Sequence, residues 1–108
     1  MAIETTYKTD NQSSVAGRHL GTGGQVIVIG AASVASTVLA VGEHRISGSG
    51  AIWFRQGGSG VTATAGAGST YLASGVVETF NVTGTADGYV AVIRDGAATG
   101  NVSITQIR

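Results

Sequence analysis

The chain has 108 residues, with six Lys and Arg balancing six Asp and Glu, 18 Gly, and neither Cys nor Pro. One domain of this size buries roughly 60–70% of its unfolded surface, enough for a modest core, and without cysteine neither disulfides nor thiolate zinc sites support it. The cancelled charge excludes the basic footprint that nucleic-acid binding demands, and a charged fraction of only 11% leaves little to oppose self-association or docking on a larger body.

Residues 1–24, MAIETTYKTDNQSSVAGRHLGTGG, hold few large apolar side chains and no sustained period. Such a segment cannot offset its ordering entropy by burial. The expectation is an extended N-terminal arm, either without a role or ordered against a neighbouring subunit. Met1–Glu4 opens no basic-then-apolar leader, so no secretory signal is read. The longest apolar-looking span, Val26–Val41, is interrupted by Gly30, Ser33, Ser36 and Thr37 and is no membrane helix.

From residue 25 to 108 the pattern is that of one all-β domain. Gln25–Gly30, QVIVIG, is a β-branched run bounded by glycine and reads as a strand. Residues 31–42 read as loop followed by a strand around Thr37–Ala40. Glu43–Gly48 and Ala51–Arg55 read as two strands around the tight Gly48, Ser49, Gly50, with Ile52 and Phe54 on one face and Trp53 and Arg55 on the other. After a glycine-rich loop, Val61–Thr64 suggests a short strand and Ser69–Leu72 an edge strand. Val76–Val82 and Tyr89–Ile93 alternate with period two, and the turn-rich Thr83–Gly88 between them suggests a half-buried antiparallel pair. Asp95–Gly100 then turns the chain into a last strand, Asn101–Ile107, with Val102 and Ile104 facing one way. Seven or eight short strands at this spacing predict a small antiparallel β-sandwich, jelly-roll or immunoglobulin-like.

Chemistry has few footholds. Gly21–Gly24 and Gly57–Gly60 lack the Lys-Ser/Thr ending and the helix that a phosphate loop needs, so they read as turn punctuation. The histidines are His19, in the arm, and His44, which alternates with Ile46 and reads as a partly buried or edge residue. The carboxylates are scattered singly and no metal-ligand spacing occurs. The expectation is a protein that is not an enzyme and needs no cofactor or metal. Trp53, with Arg55 and Arg45 as candidate companions, is the most suggestive feature. It suits packing on the second face of the sandwich, a protein interface, or a platform for a sugar ring.

Three stretches, IWFRQGGSGVTAT, YLASGVVETFNV and YVAVIRDGAATGNVSIT, resemble the short β-sandwich virion proteins of tailed bacteriophages, which are encoded near the major capsid protein and decorate or cement the head. The resemblance spans about residues 25–107 and rests on rhythm rather than on a catalytic signature. It implies folding in the host cytoplasm, then docking on the major capsid protein at the outer surface of the head, commonly as trimers. It further implies an arm that reaches a neighbour and an interface drawn from Tyr7, Arg18, Trp53, Arg55 and Tyr71. Gly/Ser/Thr-rich strands occur in tail and fibre proteins too, so a tail module binding host-surface glycan is the alternative.

Overall fold

The computed structural model describes residues 24–107. The expected arm, with Tyr7, Arg18 and His19, lies outside the described residues except for Gly24. Eight strands follow one another: β1 (Gln25–Val28), β2 (Val34–Ala35), β3 (Gly42–Gly48), β4 (Ile52–Gly57), β5 (Thr70–Leu72), β6 (Val77–Val82), β7 (Tyr89–Arg94) and β8 (Asn101–Gln106), with a 3-10 turn at Thr85–Asp87. They form two antiparallel four-stranded sheets, the first in the order β1-β8-β3-β6 and the second β2-β7-β4-β5. This order is that of a jelly roll. An immunoglobulin-like sandwich would pair the first two strands in one sheet, whereas here they lie in different sheets.

The core lies between the sheets and follows from period-two alternation. Ile27, Ile46, Val82, Val102 and Ile104 from the first sheet meet Ile52, Leu72, Val90 and Val92 from the second, with Phe54 and Phe80 packed at the margin. Ile46, Ile52, Val90, Val102 and Ile104 are fully buried. Ile52 and Phe54 face inward and Trp53 and Arg55 outward, as their alternation predicts. The edge position expected for the Ser69–Leu72 region holds for β5.

Several local expectations are corrected. Val76–Val82 and Tyr89–Ile93 do not pair with each other: β6 pairs with β3 in the first sheet, and β7 pairs with β2 and β4 in the second. The cause lies in the connection. The Asp87 carboxylate accepts hydrogen bonds from the Thr83 hydroxyl at 2.7 Å, the Thr83 N–H at 2.9 and 3.1 Å, and the Gly84 N–H at 3.0 Å. These bonds bend the chain across to the other sheet rather than back along β6. Likewise Gly48–Gly50 is a corner between sheets, not a hairpin turn. Its backbone abuts Thr99 and Gly100 so closely that a Cβ on Gly50 would run into the Thr99 carbonyl. Ser49 and Asn101 exchange bonds across this corner, Ser49 N–H to the Asn101 carbonyl at 2.9 Å and Asn101 N–H to the Ser49 hydroxyl at 3.0 Å.

The strand expected at Thr37–Ala40 lies instead at Val34–Ala35. Beyond it Ser36 donates its N–H to the Val90 carbonyl at 2.8 Å and accepts the Val90 N–H on its hydroxyl at 3.0 Å. A side chain thus replaces the backbone acceptor, and the ladder ends. Val61–Thr64 forms no strand, because its backbone donors are taken by side chains: Ala63 N–H by Ser33 Oγ at 2.9 Å and Thr64 N–H by Ser69 Oγ at 3.0 Å. His44 is neither partly buried nor at an edge. It is 2% exposed on the interior strand β3, stacked on Phe80 with centroids 5.5 Å apart.

Candidate functional site: the two outer faces of the sandwich

On the outer face of the second sheet the register sets Tyr71 of β5, Trp53 of β4 and Ile93 of β7 side by side in one row. Trp53 and Tyr71 meet edge to face, centroids 5.2 Å apart and ring planes at 61°, the geometry the ring quadrupoles favour. The indole Nε1–H donates to Asp95 Oδ1 at 3.0 Å. Asp95 follows Ile93 on the same face. It is held by its own N–H to the Ala51 carbonyl and by the Ala98 N–H to its carbonyl, each at 3.0 Å. The indole is therefore tied in one orientation and partly buried, while Tyr71 remains about half exposed.

The structure thus brings Trp53 and Tyr71 together and sets Arg55 on the same face, one row further along and exposed. Arg45 is not a companion of Trp53. It lies on β3, between Thr79 and Thr105 on the outer face of the other sheet. Asp95, the actual partner of Trp53, reads in the sequence only as a turn residue, since its role depends on the pairing of β4 with β7.

Part of the rest of this face is covered. Gly57, on the outward parity of β4, has Val61 against it, and a Cβ there would stand 3.0 Å from a Val61 methyl. The same loop reaches Ser33 beyond the sheet's opposite edge through Ala63 N–H. Ala63 is 4% exposed, and Ala91, on the outer parity of β7, is wholly buried. Residues 58–69 therefore lie over part of this half of the sheet, and the Tyr71–Trp53 corner is left open, as are Arg55 and Ala35.

The outer face of the first sheet differs. Its rows run Val26, Ser103, Ser47, Val77 and then Thr105, Arg45, Thr79. Val26, Val28 and Val77 are 69%, 72% and 52% exposed. Short side chains make the surface flat, and Glu43 and Arg45 are its charged residues among those described. Sequence reasoning took the valines of QVIVIG as one apolar run. Alternation could have assigned half of them to an outer face, but not shown that no other described segment covers it.

Elsewhere the chemistry is sparse. Among the described residues no three His, Asp or Glu side chains gather as metal ligands, and no helix is long and apolar enough to cross a membrane. His44 Nε2 donates to the Ala40 carbonyl at 2.8 Å, and its buried Nδ1 has no hydrogen-bond partner among the described residues. Stacking on Phe80 fixes the ring as a packing element. Hydrogen bonding, led by the Thr83 hydroxyl and then the Thr83 N–H, holds the Asp87 carboxyl below the usual aspartate range. No family model, curated protein or solved structure matches this chain.

Proposed function

We propose that this chain is a structural component of a tailed-phage virion, a decoration or cement protein that docks on the major capsid protein at the outside of the head. The observation that carries the reading is the outer face of the first sheet, flat, almost uncharged and studded with exposed valines. Exposed valines at both edges of a short-chained face that carries only Glu43 and Arg45 as charges among the described residues support a docking face over a fully solvated one. The sequence rhythm that resembles short phage β-sandwich proteins supplies the class of partner. Many copies binding only the assembled lattice lower that state's free energy by mass action, which is how a non-enzymatic module braces a shell. Association as trimers is part of the proposal.

The deciding experiment is quantitative mass spectrometry of purified particles with heads and tails separated. Copies comparable in number to the capsid protein in the head fraction are expected. A handful of copies with the tails would move the chain to an adhesion role, and absence from both would overturn the virion reading. The half-exposed Tyr71 beside the tethered Trp53 supports a second reading, a tail-associated module stacking on host glycan. Glycan retention that is lost in Trp53→Ala and Tyr71→Ala would favour it.

A further inference from the structure

Arg55 stands exposed on the outer face of the second sheet, two residues along β4 from Trp53. None of the described carboxylates is placed to pair with it. Glu43 and Glu78 belong to β3 and β6 in the other sheet, and Asp87 is engaged by Thr83 and Gly84. Asp95 holds the indole and lies four residues beyond Ala91, the residue opposite Arg55, which sets it about 13 Å away along the strand. Across the sheet Arg55 is followed by Ala91 and Ala35, side chains too short and apolar to engage a guanidinium.

We propose that this corner binds an acidic polysaccharide, a sugar ring resting against Tyr71 and Trp53 while its carboxylate is held by the Arg55 guanidinium. The inference rests on the second reading above, a module that stacks on glycan, and adds the class of glycan. The planar guanidinium fork matches a carboxylate with two parallel hydrogen bonds. Residues two apart on a strand are separated by about 7 Å, comparable with the length of one uronic acid ring and its carboxyl group. The Asp95 bond already fixes the indole, so little side-chain freedom is lost when a ring settles on it. Trp53 and Tyr71 meet at 61° and form a wedge rather than a flat shelf, which suits a puckered sugar ring better than a planar aromatic acid. The charges at the two ends also differ in sign. Asp95 repels a carboxylate and Arg55 attracts it, so the acid group has one favoured direction on the row.

The surroundings favour a polymer. Tyr71 lies on β5, a three-residue strand at the edge of the sheet, so linked sugars can continue past it without obstruction from a further described strand. Small molecules are held in concave sites that bury most of their surface, and no described segment walls this corner. One exposed ion pair contributes little alone, but a repeating polymer engaged by many copies gains by avidity.

Trp53 is the sole tryptophan, so its emission reports on the corner directly. The full-length protein is titrated with oligosaccharides of galacturonate, glucuronate, mannuronate and sialate, each beside its methyl ester, which keeps the ring and removes the charge. The expected result is a saturable change with at least one acidic member and about tenfold weaker binding of its ester, the loss of one charge-assisted pair. Arg55→Gln should bring acid and ester to the same affinity while leaving the melting of the sandwich unchanged. Tyr71→Ala should weaken both. Acid and ester bound alike by the parent overturns the inference and leaves the glycan reading standing, whereas no binding of any member sinks both. A preference for the acid that survives in Arg55→Gln also overturns it. If Arg55→Gln instead lowers occupancy on particles and leaves saccharide binding unchanged, the guanidinium belongs to a contact with an acidic protein surface and the inference falls.

Discussion

Asp87 shows how one side chain decides a connection. Its carboxylate gathers the Thr83 hydroxyl and the Thr83 and Gly84 N–H groups, and these bonds favour the ionised form, lowering its pKa. A depressed folded pKa contributes stability above the unfolded value near 4 and loses it as pH falls through the folded value. Asp87→Asn should therefore melt below the parent at pH 6–7, with the gap closing as pH drops below about 4. A gap that is flat across the titration would show that the charge is irrelevant. Trp53 offers a second test, since it is the sole tryptophan. Removing its acceptor by Asp95→Ala should cost about 1.5 kcal/mol, the low end for a hydrogen bond to a charged group because the indole is only partly buried, and should shift the indole emission to the red. Unchanged emission would mean that the Nε1–Asp95 bond does not set the ring's environment.

At the scale of elements, the alternation of Val102 with Ile104, of Ile52 with Phe54 and of Phe80 with Val82 was enough to name strands and their inward faces. Which sheet each strand joins was not legible. Two β-runs with a short polar spacer look alike whether the spacer folds them together or carries one across. The difference lies in bonds between residues distant in sequence, such as Ser49 with Asn101, or in a carboxylate acting as a local bracket, as Asp87 does. The same limit hid Asp95 from Trp53 and placed Arg45 on the wrong side of the sandwich. The Gly48–Gly50 corner gives a test of this kind of packing. Gly50→Ala drives a Cβ into the Thr99 carbonyl, where neither backbone can yield cheaply, and should cost about 1–3 kcal/mol in denaturant unfolding. Gly60→Ala, with nothing within 4 Å of its Cβ, should be nearly neutral. Equal effects at the two sites would mean that the corner is not closely packed.

For the whole molecule, the two outer faces divide the surface into different tasks. One is roofed in part by residues 58–69, leaving the Tyr71–Trp53 corner open; the other is bare of any segment among the described residues, with valines where a solvated sheet would carry charged or long polar side chains. A sheet whose outward residues stayed in water would lose nothing by replacing Val26 and Val77 with lysine, and its fold would hold, since both side chains point away from the core. If the bare face is the docking face, each lysine brings a charge that must be desolvated without a partner on binding. Val26→Lys with Val77→Lys should then leave the melting temperature within a few degrees of the parent while cutting occupancy on particles at least tenfold, about 1.4 kcal/mol. Sedimentation of particles mixed with the purified variant measures this directly. Undiminished occupancy would transfer the docking role to the Tyr71–Trp53 corner, where Tyr71→Ala should then release the protein, and retention of both variants would remove the two sheet faces from the account.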